Sequence, residues 1–238
     1  MTSRYTTKRP RRLILAVDGP AGSGKSTVSK ILAMKLGLLY IDTGAMYRAL
    51  TLKATRSGMN LEDEDVLTKL AHGTKIDLKE SIGGLKVLLD GEDVSGLIRT
   101  PELTDNVRYI AKVPGVRKEM VRMQRAIGEN RGAVLEGRDI GTVVFPDARY
   151  KFYLDADEKV RVKRRYDELM GMGQKVGMGD IKKAVSSRDA SDIKRAVGAL
   201  KKADDAVYID TTELSINEVV DKILLYIGKW GQVHFSKK

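Results

Sequence analysis

The sequence predicts an α/β fold, a parallel sheet of about five strands flanked by helices, with an inserted antiparallel β-containing subdomain and a helical lid. Three observations predict it. Short apolar runs of strand length alternate with stretches of helical periodicity. The strand-like runs close on acidic residues, Asp18, Asp42, Glu136, Asp155 and Asp210, where turns or helices begin. One connection, between Gly58 and Gly132, spans about 75 residues, far beyond a plain crossover between neighbouring strands.

Residues 13–18 form a β-type run broken at Gly19-Pro20 by a glycine-rich turn. Val28, Ile31, Leu32 and Leu36 then recur at helical spacing, and Gly37 ends that helix. Residues 38–41 are a second short buried strand. Residues 45–55 read as a helix with Met46, Leu50 and Ala54 on one face. Inside the long connection, 75–79 and 85–89 are strand-like, and Asp90-Gly91 is a hairpin signal ahead of a third strand over 92–98. A helix over 116–127 follows, started by Pro114. The runs 133–135, 150–154 and 206–209 complete the sheet, the last two leading into helices. A capping box, Ser215-x-x-Glu218, opens the final helix ahead of Val219, Val220, Ile223 and Leu224. The expected division is a basic, disordered tail over 1–12, a core over 13–64 and 111–228 with its lid over 157–190, an insert over 65–110, and a C-terminal tail over 229–238.

Composition narrows the function. Of 238 residues, 42% are apolar and 32% charged, enough for a real core, so disorder of the whole chain is excluded. No cysteine is present, which removes disulfides, thiolate metal sites and cysteine nucleophiles. The two histidines, His72 and His234, are too few and too far apart for a His-based metal centre or a Ser-His-Asp triad. No apolar stretch reaches membrane-span length, so a soluble, cytoplasmic protein with no membrane partner is expected. The net charge of +11 is uneven: Arg4, Lys8, Arg9, Arg11 and Arg12 crowd the first twelve residues without an acid. That tail is read as solvated in preference to an organellar transit peptide. A basic balance suits nucleic acid or polyanionic small molecules alike.

The strongest chemical signal is Gly19-Pro20-Ala21-Gly22-Ser23-Gly24-Lys25-Ser26, with Thr27 next, which fits the phosphate-binding loop pattern between a strand and a helix. Glycines let consecutive backbone N–H groups turn inward around phosphate oxygens, and the helix N-terminus adds a favourable dipole. Lys25 is expected to bridge the β- and γ-phosphates of ATP, and the Ser26 hydroxyl to ligate Mg²⁺. A chance glycine turn is the bland alternative, and the flanking elements count against it. No Asn-Lys-x-Asp guanine motif is present, which argues against a GTPase. Arginines cluster after the strands: Arg48; Arg138 with Asp139; Arg161, Arg164 and Arg165 at i, i+3, i+4; and Arg188, Asp192 and Arg195 at i, i+4, i+7 if helical. Singly, each is most simply a solvated charge. Together, at the carboxyl edge of an open α/β sheet, they suit a second anionic substrate facing ATP.

Five segments carry a family resemblance: residues 18–27; Asp42-Thr-Gly-Ala-Met-Tyr-Arg48; Gly91-Glu-Asp-Val-Ser-Gly-x-Ile-Arg-Thr100; Gly137-Arg-Asp-Ile-Gly-Thr-Val-Val-Phe-Pro146; and Arg188-Asp-x-x-Asp-x-x-Arg195. With them, the chain resembles the bacterial-type cytidylate kinases, the (d)CMP kinases of the nucleoside monophosphate kinase group of P-loop kinases, over residues 13–227. The resemblance implies ATP- and Mg²⁺-dependent phosphorylation of CMP and dCMP by a monomer, with no nucleic-acid partner. It implies that Arg48 and Arg138, with Thr43 beside them, hold the CMP phosphate. Arg117 and Asp139 would read cytosine, and Arg188 and Asp192 would contact sugar and phosphate. Arg161, Arg164, Arg165 and Arg195 would close over the transferring phosphoryl group. Two positions depart from the pattern. Arg108 stands where relatives often carry a small hydroxyl residue near the base, and Ala199 replaces a frequent proline.

Two other readings remain. Another small P-loop kinase would share the loop and lid and differ only in acceptor contacts. A basic nucleic-acid-binding protein would draw on the +11 charge, but 5% aromatic residues leave few stacking platforms.

Overall fold

The computed structural model describes residues 13–81 and 84–235. The basic tail expected over 1–12 lies outside the described residues.

Five parallel strands form the main sheet: β1 (Ile14–Asp18), β2 (Leu39–Asp42), β6 (Ala133–Gly137), β7 (Tyr150–Asp155) and β8 (Val207–Asp210). Their spatial order is β2-β6-β1-β7-β8, so β1 lies at the centre and delivers its following loop to the middle of the carboxyl edge. The apolar runs lack alternation because both sheet faces are buried. Ile14 and Ala16 point into one core with α2 (Thr43–Arg56) and α5 (Pro114–Arg131). Leu15 and Val17 point into the other, with α1 (Lys25–Leu36) and α8 (Ile216–Phe235). The capping box of α8 forms as expected: Ser215 N–H donates to Glu218 Oε2 at 2.8 Å, and Glu218 N–H to Ser215 Oγ at 3.3 Å. The helix itself runs on to Phe235, past the boundary at 228 drawn from the sequence.

The long connection holds α3 (Glu64–His72), a three-stranded antiparallel sheet of β3 (Ile76–Ser81), β4 (Gly84–Leu89) and β5 (Glu92–Asp93), and α4 (Pro101–Lys112). The third strand expected over 92–98 is a correction, since pairing stops at Asp93. Asp93 Oδ1 accepts from both the Ser95 N–H and its hydroxyl, and Val87 N–H donates to Ser95 Oγ, so the chain turns there. Val94 and Ile98 are consequently buried at helical rather than strand spacing. The insert has no core of its own. Ile76, Val87, Leu89, Val94 and Ile98 join the cluster that also holds Ile41, Met46 and Met120.

Between β7 and β8, α6 (Glu158–Gly171) and α7 (Met178–Lys194) pack through Val162, Leu169, Ile181 and Val185. Arg188 and Asp192 share a face of α7 as expected. Arg195 does not extend it: the helix ends at Lys194, and Arg195 is extended at φ −61°, ψ 137°. Among the described residues, no helix is long and apolar enough to cross a membrane.

Candidate active site

The loop between β1 and α1 has the shape its glycines dictate. Gly22 and Gly24 lie at φ +78° and +85°, and a Cβ on Gly22 would come within 2.8 Å of the Arg161 carbonyl oxygen. Only glycine takes this path without strain. Lys25, the first residue of α1, is buried and curls back to donate to the Pro20 carbonyl at 2.9 Å. Burial, then the charges of Arg138 and Arg188, push its ammonium down to about 7. Ser26 and Thr27 are exposed on the first turn of α1. The buried Ser23 hydroxyl has no hydrogen-bond partner among the described residues.

Arg161 and Arg164 brace this loop. Arg161 donates to the carbonyls of Ala156 (3.0 Å) and Ala21 (3.2 Å) and pairs with Asp189 on α7. Arg164 donates to Thr211 O at 2.6 Å and Thr211 Oγ1 at 3.0 Å, and that hydroxyl has Asp155 O at 2.9 Å and Ser23 O at 3.2 Å within reach of its single proton. Of the three arginines expected on one face of α6, Arg165 lines the cleft, paired with Glu168 at 2.7 Å.

The acceptor-side residues gather at the ends of β2 and β6. Asp42 caps α2 through Ala45 N–H (2.8 Å) and binds Arg48 at 3.1 Å. Thr43 donates its hydroxyl to Glu136 O at 2.7 Å, and Tyr40 donates to Glu136 Oε1 at 2.6 Å. Past β6, Arg138 and Asp139 diverge. Arg138 donates to Asp192 Oδ2 at 2.6 Å, while the other Asp192 oxygen takes Arg195. Burial works to raise the Asp192 carboxyl, but Arg138, Arg195 and Arg188 outweigh it and hold it below its usual value. Asp139 pairs with Arg117, both buried. Burial nonetheless keeps the Asp139 carboxyl above its ordinary value. Gly198, at φ +66°, packs its α-carbon directly on this pair.

A cleft of about 510 Å³ opens between α4 and the α6–α7 lid, with Ala21 of the loop, Arg108, Arg165, Arg188, Asp192 and Arg195 in its wall. Arg188 makes no ion pair among the described residues. Burial, then Arg138, push its guanidinium down to about 10, with smaller effects from Arg48 and Arg165. Cationic side chains gathered at one cleft suit a polyanion. Arg108 lies over the Tyr109 ring at 4.9 Å and lines the cleft.

The family model described as cytidylate kinase matches residues 15–229. The chain belongs to the cytidylate kinase family. It is 51% identical over 217 residues to the cytidylate kinase of Desulforamulus reducens, covering 90% of this chain and 96% of that one. It is 50% identical over 215 residues to the cytidylate kinase of a Geobacillus strain, again covering 90% and 96%. A bifunctional pantoate ligase/cytidylate kinase of a Synechococcus strain is 48% identical over 226 residues, and there the match spans 94% of this chain but 42% of the longer protein. Among solved structures, the shikimate kinase of Bacteroides thetaiotaomicron is 13% identical with a TM-score of 0.48, over 91% of this chain and 98% of that one.

Within this family member, three polar residues of the site have no role in the sequence reading. Asp18 precedes the loop and receives two backbone N–H groups. Glu136 faces Lys25 closely enough to act on its charge. Tyr40 holds Glu136. Asp18 and Glu136 were visible as the acidic ends of apolar strands, a position where a carboxylate is either a cap or part of a site. Their partners lie more than ninety residues away and could not be read from spacing.

Proposed function

We propose that the protein transfers the γ-phosphoryl group of ATP to CMP and dCMP, giving the nucleoside diphosphate and ADP. The observation that supports this reading is the convergence of Lys25, Arg138 and Arg188 beside the phosphate loop, where burial and then the charge of Arg138 disfavour the protonated forms of Lys25 and Arg188. On this reading the inward N–H groups of residues 19–27 hold the donor phosphates, and Lys25 turns from Pro20 O to reach them. Arg48 and Arg138, with Thr43, hold the acceptor phosphate. Arg188 and Asp192 contact its sugar and phosphate, and Arg117 and Asp139 read cytosine.

No covalent nucleophile is required. An acceptor phosphate oxygen attacks the γ-phosphorus in line and the bond to the ADP oxygen breaks, so the protein supplies positioning and charge neutralisation. Arg165 and Arg195, at the cleft, would neutralise the equatorial oxygens, with Arg161 and Arg164 closing behind them. The exposed Ser26 hydroxyl, a hard oxygen donor beside Lys25, fits Mg²⁺. When bound, Mg²⁺ offsets the negative charge of the phosphates. Closure of lid and insert over the cleft would exclude water and suppress ATP hydrolysis. The expected setting is the cytoplasm, as a monomer acting on small molecules.

The test is ADP release with ATP, Mg²⁺ and each nucleoside monophosphate in turn. CMP and dCMP should lead UMP, AMP and GMP by a wide margin, and preference for any other acceptor overturns the reading.

A further inference from the structure

β1 ends on Asp18, and the phosphate loop starts with the next residue, Gly19. In the parallel ladder Asp18 lies opposite Gly137, the residue before Arg138. The ladder stops there, yet the chain stays buried through Ile140 and Gly141 at the start of a π-helical turn, Ile140–Val144. Two interior N–H groups therefore need acceptors that the sheet no longer offers. Asp18 supplies both: Oδ1 accepts from Ile140 N–H and Oδ2 from Gly141 N–H, each at 2.8 Å. A Cβ on Gly141 would lie 3.4 Å from Asp18 Oδ2, so the turn sits close against the carboxylate.

Attachment at two points fixes the rotation of the turn as well as its distance. That matters because its two preceding side chains go opposite ways, Arg138 to Asp192 on α7 and Asp139 to Arg117 on α5. A small roll of the turn displaces both. The carboxylate is 4% exposed, and no cation forms an ion pair with it among the described residues. Burial, despite its two N–H donors, pushes its carboxyl up to about 6. The buried carboxylate thus holds one N–H on each of its two oxygens.

We propose that Asp18 is a positioning residue for the acceptor half of the site: its carboxylate locks the turn carrying Arg138 and Asp139 to the strand that delivers the phosphate loop. This rests on the reading of those two residues as acceptor ligands. Asp18 touches neither nucleotide and acts through the turn.

Asp18→Asn tests it, because the amide keeps the shape but aims an N–H₂ at one of the two donors. The KM for CMP should rise about tenfold or more, and the CMP:UMP ratio of kcat/KM should fall by about as much. ATP affinity without acceptor, measured by calorimetry, should stay within about twofold, since the loop keeps Lys25 and its own N–H groups. An unchanged KM and ratio overturn the proposal, as does a matched loss of ATP affinity, which would show general damage to the loop. If Asp18→Asn does not fold, Asp18→Glu keeps the carboxylate but displaces it by one methylene from the Ile140 and Gly141 N–H groups. It should raise the CMP KM with ATP affinity unchanged, and a normal CMP KM counts against the proposal. Asp139→Asn is measured alongside. If it shifts the CMP:UMP ratio and Asp18→Asn does not, Asp18 alone is wrongly assigned; if neither does, the reading of Asp139 falls with it.

Discussion

Arg117 on α5 and Asp139 beyond β6 form a buried ion pair across 22 residues of sequence, 2% and 6% exposed, with the Tyr47 ring 5.7 Å from the guanidinium. From the sequence, the bland alternative for Asp139 is a helix cap or a salt bridge to Arg138. Asp139 forms neither: its side chain caps nothing, and Arg138 goes to Asp192. On the proposed reading, the pair would offer cytosine an acceptor for its N4 amino group and a donor for N3, and would oppose uracil at both atoms.

Asp139→Asn should therefore act on stability and specificity together. It leaves the Arg117 charge buried without its partner and should destabilise the fold by about 3 kcal/mol in urea unfolding. The CMP:UMP ratio of kcat/KM should collapse toward unity, because the amide can serve either base. Replacing both residues by apolar ones, Arg117→Met with Asp139→Leu, should recover much of the stability and none of the cytosine preference. A ratio that survives in Asp139→Asn removes this residue from the base site.

Lys25→Ala should lower turnover by more than about a hundredfold while leaving the fold intact or firmer. The loop is held by its glycines, by Thr211 and by Arg161, and the buried ammonium is disfavoured by its surroundings. Steady-state turnover within about tenfold of the parent, a barrier change of about 1.4 kcal/mol, would reject the phosphate-loop role.

The depressed Lys25 also sets a pH dependence. Its folded value is about 7 against an ordinary 10.5, so between these values the unfolded chain holds more protons. Its contribution to stability therefore rises with pH across that window, and the penalty is full below 7. Unfolding measured from pH 7 to 10 should show this slope in the parent and lose it in Lys25→Met. In the same window, ATP binding restores the charge and should take up a proton. Calorimetry at pH 8 in buffers of different ionisation enthalpy would detect it, and equal uptake by Lys25→Met would assign it elsewhere.

Gly22→Ala should damage the donor half selectively. A residue with a side chain at this φ costs about 1–2 kcal/mol, and the added methyl runs into the Arg161 backbone. ATP affinity should fall by about tenfold or more, with the CMP:UMP ratio unaltered. Normal ATP affinity by calorimetry would show that the loop relaxes around the methyl.

By itself the sequence determined the parallel α/β sheet, the phosphate loop and the family. These follow from local rules: unbroken apolar runs, glycines at required positive φ, and the Ser215–Glu218 box act within a few residues. The amphipathic helices α3 and α4, capped by Asp63 and by Thr100 ahead of Pro101, were missed, because the strand and hairpin signals between them dominated the reading of the insert. Tertiary structure decided the rest. Which carboxylate takes which arginine depends on where chain segments meet: Arg117 with Asp139, Arg138 and Arg195 with Asp192, Arg161 with Asp189. A charge carries no address in sequence, and its partner is chosen by burial, which leaves few acceptors within reach. The same holds for Asp18, whose two hydrogen bonds cross more than 120 residues and exist only because β1 and β6 lie side by side.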